Sequence, residues 1–284
     1  VICCGNVTAG GAGKTTVAID LGERLRNKGH NIHFLSRGYG GRTRAVTRVG
    51  DNMTAAEVGD EPLLLASVAP TWVGADREAA AQAAIAAGAD ILVMDDGLQN
   101  PTLCKTLSLL IIDGRTGFGN LHLLPAGPLR EPVAVAASRC GAAILIGEDH
   151  HRVLASLPAM LPVLHARLVP GPATVALKGQ RVLAFAGIAS PEKFFATLEE
   201  AGAEIGCKLG FADHQPYKIH VIERLLHRAA QDGLRPVTTA KDAVRLPLAF
   251  RGRVDIADVS IAWSSVALLE GLLETVFHLP KQIS

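Results

Sequence analysis

Short apolar runs recur through the first half of the chain, at 1–4, 31–35, 71–74, 91–94, 107–112 and 142–146. Between them, 15–28, 61–67 and 77–87 have helical character, and the last is Ala-rich, without Gly or Pro, and closed by Gly88. Strand-like runs alternating with helices predict βαβ crossovers and a parallel sheet covered on both faces. Cys3 and Cys4 fall in the first run, where neighbouring side chains point to opposite faces.

The pattern breaks over 157–179, under Pro158, Pro162, Pro170, Gly171 and Pro172. We read a junction there, with connecting strands at 161–169 and 173–177. A second αβ set follows: strand 181–186, helix 191–201, strand 204–211, helix 218–231 and strand 236–239. A late strand is expected over 255–263 and a closing helix over 264–277. The expected organisation is a first domain at 1–157, linker strands at 158–179, a smaller α/β domain at 180–253, and a return strand with closing helix at 254–284.

Composition sharpens this picture by exclusion. Half of the 284 residues (49%) are apolar and 19% are charged, enough to bury a sizeable core and too apolar a mixture for wholesale disorder. A net charge of +1 and 4% aromatics give no basic or base-stacking surface, so nucleic acid is not an expected partner. The five cysteines lack a CxxC pair and read as reduced, mostly buried thiols of a cytosolic protein. No apolar run is long enough to span a membrane. The chain opens without Met, directly on an apolar strand, so we expect its natural N-terminus, with any targeting or anchoring segment, to precede residue 1.

The strongest chemical signal is Thr8-Ala-Gly-Gly-Ala-Gly-Lys-Thr-Thr16, after a strand and before a helix. Glycines let backbone N–H groups turn inward around an anion, which a helix N-terminus also favours. Lys14 would reach the β/γ-phosphates, and Thr15 would offer its hydroxyl to Mg²⁺. The motif is a variant, because Thr8 stands where the strict pattern has Gly. The run Ile91-Leu-Val-Met-Asp-Asp-Gly-Leu-Gln99 ends a buried strand in Asp95 and Asp96, suited to hold a carboxylate beside Mg²⁺ and phosphates.

Asp60 and Glu61, in Val58-Gly-Asp-Glu-Pro62, open a helix. Asp60 reads either as a helix cap with Pro62 in the first turn, or as a carboxylate that accepts a proton from an attacking hydroxyl. Arg37, Arg77 and Arg130 lie in Gly-rich settings that suit bidentate phosphate binding. Asp213-His214 sits between a strand and a helix, His150-His151 reads as solvated, and the stretch from Thr238 to Arg245 opens a helix with a Thr cap.

Taken together these motifs resemble the tetraacyldisaccharide 4′-kinase family of lipid A biosynthesis. The matching stretches are Gly5-Asn6 with Gly10 to Thr15, Leu35-Ser-Arg-Gly-Tyr-Gly40, Val58 to Pro62, Asp95-Asp-Gly-Leu-Gln99 and Gly119-Asn120. Leu124-Pro-Ala-Gly-Pro-Leu-Arg-Glu-Pro132, Phe185-Ala-Gly-Ile-Ala189, Phe194-Phe195, Asp213-His214 and 238–245 continue the series in order. The resemblance implies a P-loop core, a smaller C-terminal α/β/α domain and a two-stranded linker that lets the domains close. It implies transfer of the γ-phosphate of ATP, with Mg²⁺, to the 4′-hydroxyl of a tetraacylated glucosamine disaccharide 1-phosphate. Gly10, Gly11, Ala12, Gly13, Lys14, Thr15 and Thr16 would hold the nucleotide. Asp60 would be the base, His214 its supporting partner, and Thr15, Glu61, Asp95 and Asp96 the neighbours of the metal. Arg37, Tyr39, Arg77, Gln99 and Arg130 would meet the phosphates and the sugar. The implied location is the cytoplasmic face of the bacterial inner membrane, held peripherally through the segment expected before residue 1.

The chain departs from the family pattern at Thr16 (usually Pro), Leu98 (usually aromatic), Asn100-Pro101 (usually His-Arg) and Thr106 (usually acidic). A P-loop ATPase or GTPase switch shares the Gly-rich loop and the strand-end Asp, but should lack the Pro-Ala-Gly-Pro-Leu-Arg-Glu-Pro loop.

Overall fold

Two sheets organise the computed structural model, which describes residues 1–213 and 215–278. The large one contains β1 (Ile2–Gly5), β2 (Ile32–Ser36), β3 (Thr47–Arg48), β4 (Thr71–Val73), β5 (Ile91–Asp95), β6 (Leu107–Asp113), β7 (Ala142–Ile146) and β8 (Val163–Pro170). The small one contains β9 (Arg181–Ala186), β10 (Glu204–Gly210), β11 (Arg235–Thr239) and β12 (Asp255–Ala257), and β13 (Val259–Trp263) returns to the large sheet. The orders are β13-β8-β7-β6-β1-β5-β2-β4-β3 and β10-β9-β11-β12. All pairings are parallel except β3 with β4 and β13 with β8. The apolar runs of the first half form strands because each can pair only through a crossover, and the intervening helices α1 (Lys14–Asn27), α2 (Ala55–Val58), α3 (Asp60–Ala66), α4 (Arg77–Ala86) and α5 (Val133–Ala137) make those crossovers.

Both faces of the large sheet are covered. Ile2, Cys4, Leu109 and Ile144 face one core with Val17, Leu21 and Leu25 of α1, while Cys3, Leu92, Met94 and Leu110 face the other with Ala80 and Ala84 of α4. Fully buried aliphatic side chains of this kind contribute about 1.5–3 kcal/mol each. Burial raises the Cys4 thiol well above its usual range and pushes Cys3 up to about 12, so both act as small apolar residues. Leu98 is buried against Gly5 in the second core.

Two expectations need correction where the chain passes between the sheets. Residues 173–177 are not a strand: Pro172–Val175 forms helix α6, with Pro172 as its first residue. Its cap comes from far away in sequence, since the Thr174 amide donates to the Asp258 carboxylate at 2.9 Å and the Thr174 hydroxyl to the Asp258 carbonyl at 2.7 Å. The late strand expected over 255–263 is two strands, β12 in the small sheet and β13 in the large one, parted at Asp258. The two crossings thus touch, and a Cβ on Gly171 would collide with the Asp258 carboxylate. The small sheet is flanked by α7 (Pro191–Glu200), α8 (Ile219–Gln231), α9 (Ala240–Ala243) and α10 (Leu248–Arg251), and α11 (Val266–His278) returns to α1, where Glu270 pairs with Arg24 at 3.6 Å and with Lys28.

Candidate active site

The Gly-rich loop spans the gap between β1 and α1. Gly13 caps the helix at φ 83°, a left-handed conformation that glycine adopts without strain. No side chain caps α1 and its first turn holds no acid, so the leading N–H groups and the helix dipole face the loop. Lys14 Nζ donates to the side-chain oxygen of buried Asn6 at 3.1 Å, which aims the lysine along the loop. Thr8 needs no glycine character because it is extended: it bridges Leu129 and its hydroxyl accepts from Asn6 at 3.0 Å. The loop over 124–132 lies along the same edge, with the Ala9 amide donating to Pro128 O at 2.8 Å and the Arg130 amide to Val7 O at 2.7 Å. Gln99 is tied into this corner, donating to Asn6 O at 2.9 Å and to Glu131 at 2.8 Å.

The neighbouring carboxylates at the end of β5 part company. Asp95 is 3% exposed and accepts from the Thr15 hydroxyl at 2.9 Å, while its other oxygen, Oδ1, is buried with no hydrogen-bond partner. Burial is the main reason its pKa is pushed up to about 7, against the opposing pull of Thr15 and Lys14. Asp96 adopts φ 52° and turns away, so that Arg130 Nη1 donates to both of its oxygens at 2.8 and 3.0 Å, with Lys14 at 3.6 Å. Among the described residues no group of three or more His, Cys, Asp or Glu could hold a metal ion. Magnesium at a phosphate loop needs fewer protein ligands, because phosphates and water complete its shell. The orphaned Asp95 oxygen beside the Thr15 hydroxyl is the donor pair such an ion fits.

A cleft of about 1110 Å³ opens between the two sheets. Arg37, Tyr39 and Asp60 line it from the large-sheet side, and Arg245, Leu248 and Arg251 from the small-sheet side. The loop over 38–41 can lie this close to Asp60 because glycines meet there: Gly59, at φ 92°, caps α3, and a Cβ on it would strike Tyr39 O. Asp60 is therefore the first residue of α3 and not its cap. Its carboxylate receives Arg245 Nε at 2.7 Å, and neighbouring Glu61 receives Lys241 at 2.8 Å. Glu61 is near enough for its charge to raise the pKa of Asp95. Arg77 opens α4, buried, donating to Gly74 O while its Nε has no partner; burial lowers its pKa, with the charge of Arg37 adding to this.

Lys14, Thr15, Asp95, Asp96 and Arg130 thus converge on one loop, while Arg37, Tyr39 and Asp60 share the cleft. His214 lies outside the described residues. Asn6, Lys241 and Arg245 carry no individual signal in the sequence, although all three fall in the matched stretches. The expected Thr cap is Thr239, which accepts from the Asp242 amide at 3.0 Å and so starts α9 where Lys241 and Arg245 face α3.

Comparison with known proteins identifies relatives of the chain. The family model LpxK, Tetraacyldisaccharide-1-P 4′-kinase, matches residues 1–277. The tetraacyldisaccharide 4′-kinase of Gluconobacter oxydans is 51% identical over 278 residues, covering 98% of this chain and 85% of that protein. The enzyme of the same name from Rhodospirillum centenum is 54% identical over 275 residues, covering 96% and 82%. The fold matches a crystal structure of Aquifex aeolicus LpxK in complex with ATP at a TM-score of 0.80 and 24% identity, covering 98% of this chain and 88% of that one. The chain belongs to the tetraacyldisaccharide-1-P 4′-kinase family.

Proposed function

We propose that this chain transfers the γ-phosphate of ATP to the 4′-hydroxyl of a tetraacylated glucosamine disaccharide 1-phosphate. The observation that carries the reading is a phosphate loop, with Lys14, Thr15 and Asp95, beside a separate arginine-lined cleft that holds Asp60. A nucleotide switch needs the first feature only. Arg37, Arg42, Arg44, Arg245 and Arg251 line the cleft together with the carboxylate of Asp60, an excess of guanidinium that suits an acceptor carrying a phosphate of its own.

In this reading Gly10 to Thr16 wrap the nucleotide phosphates, and Lys14 neutralises charge on the transferring group. Thr15 and Asp95 would hold Mg²⁺, with Glu61 and Asp96 as its acidic neighbours. Bound there, the ion would screen the phosphate oxygens as charge shifts between them. Arg130 and Arg77 approach the phosphates, while Arg37, Tyr39 and Gln99 position the sugar. Asp60 takes the proton of the 4′-hydroxyl, help worth roughly 10²–10⁴-fold, and His214 supports it. The parts of the chain on either side of the β8 and β13 crossings act as two domains that close on the acceptor. Among the described residues no helix is long and apolar enough to cross a membrane. Acyl chains keep the acceptor in a bilayer, so we place the chain as a peripheral protein at the cytoplasmic face of the inner membrane.

Incubation with labelled ATP and tetraacyldisaccharide 1-phosphate in mixed micelles tests the reading. Label moving to the lipid supports it, whereas ATP turnover with no labelled lipid supports the switch alternative.

A further inference from the structure

Asp60 belongs to the large-sheet half of the molecule, yet a cation holding it comes from the other half. Arg245 Nε donates to Asp60 Oδ2 at 2.7 Å, across a sequence separation of 185 residues, with the two side chains 4% and 9% exposed. A guanidinium this buried is held by its other contacts. Arg245 Nη1 donates to Gly187 O at 2.6 Å and to Asp242 Oδ1 at 3.2 Å. Asp242, wholly buried, is itself fixed by the Tyr217 hydroxyl at 2.8 Å, the Gly187 amide at 3.0 Å and the Thr239 hydroxyl at 2.7 Å. These donors hold Asp242 apart from its contact with Arg245. The direction of support therefore runs from Asp242 and Gly187, through Arg245, to Asp60.

From this geometry we infer that Arg245 is a positioning residue for the phosphoryl transfer, fixing the Asp60 carboxylate in place from the small-sheet half. The inference rests on the reading of Asp60 as the base. A planar guanidinium suits this role, because its Nη1 is held by Gly187 and Asp242 and Nε, fixed in the same plane, then donates to a carboxylate oxygen of Asp60. A lysine could supply the charge but not the fork. The buried tie also makes the base fully assembled only when the two halves of the molecule are seated against each other, which couples acceptor-cleft geometry to chemistry. Gly187 sets the spacing, since a Cβ there would lie 3.1 Å from the Tyr217 hydroxyl and 3.2 Å from Asp242 Oδ1.

The test is steady-state transfer of label to lipid by the full chain carrying Arg245→Gln, Arg245→Lys, Asp60→Asn, and the Arg245→Gln/Asp60→Asn pair. Arg245→Gln is expected to lower kcat by roughly 10–100-fold, the scale of loss when a group orienting an active-site ligand is removed, with KM for ATP unchanged. Arg245→Lys should restore part of kcat, and adding Arg245→Gln to Asp60→Asn should cost nothing further, because the pair acts as a unit. If Arg245→Gln does not fold, Gly187→Ala replaces it, leaving both charges in place and lowering kcat several-fold with KM for ATP unchanged. An unaltered kcat, a loss confined to KM for ATP, or multiplicative losses in the double variant would overturn the inference. Wild-type protein in the same assay separates the two readings: no label on lipid from wild type sinks the kinase reading, whereas normal wild-type turnover with an indifferent Arg245 sinks only this one.

Discussion

Two pairs of adjacent acids, Asp95-Asp96 and Asp60-Glu61, are held in opposite ways. Asp95 and Asp96 end a central strand, and Thr15, Lys14 and Arg130, which contact them, all come from the large-sheet half. Asp60 and Glu61 open a helix and meet Arg245 and Lys241 from the small-sheet half. The first pair is set by the fold of one half, while the second depends on how two halves meet. Nucleotide binding should therefore tolerate changes at the junction better than transfer to the acceptor does.

Asp60 separates the two pairs most strongly. Asp60→Ala should lower kcat by roughly 10²–10⁴-fold with ATP affinity little changed, as read by transfer kinetics alongside nucleotide titration. A defect lying wholly in ATP binding would move Asp60 to the phosphate side. Next in size, Lys14→Ala should cost on the order of 10²–10³-fold in kcat and weaken ATP binding as well, because Lys14 lies where both functions overlap.

Asp95 distinguishes the pairs by stability. A carboxyl with a pKa near 7 in the folded chain and 3.8 unfolded binds its proton better when folded. The ligand-free protein should accordingly lose stability as pH rises from about 4 towards 7, an effect on the order of 4 kcal/mol for this group. Asp95→Asn removes that penalty, so thermal melting at pH 8 should occur several degrees higher than for the natural chain, with Mg²⁺-dependent stabilisation by ATP lost. A lower Tm for Asp95→Asn at pH 8 would contradict the raised pKa.

The difference between the pairs also explains what can be read along the chain. Buried strands such as Ile91–Asp95 and the loop before α1 follow from local pattern: an apolar run, a Gly-rich turn, a helix start. The meeting of the loop's Thr15 with the strand-end Asp95 is legible for that reason, and so is a Thr cap at the start of α9. Helix α6 escapes such a reading because its cap is Asp258, distant in sequence, and the strand over 255–263 looks continuous although it changes sheets at that same residue. Arg245 and Lys241 carry only the spacing of two cations on a helix start, and nothing in that spacing says which acids they meet across the junction. The smallest predicted effect lies here: Asp258→Ala removes the remote cap of α6 and should cost about 1 kcal/mol, seen as a Tm lower by ~2–4 °C.

If the phosphate loop and the Asp60 cleft serve one transfer to a lipid hydroxyl, the product must carry its new phosphate at a defined carbon. Phosphorus NMR of the lipid recovered after incubation with ATP and Mg²⁺ both detects and locates that group. A second phosphomonoester at the 4′-position is expected from the natural chain and should be nearly absent with Asp60→Ala. Consumption of ATP with the lipid unchanged, or equal product from both proteins, would contradict a shared role for the loop and the cleft.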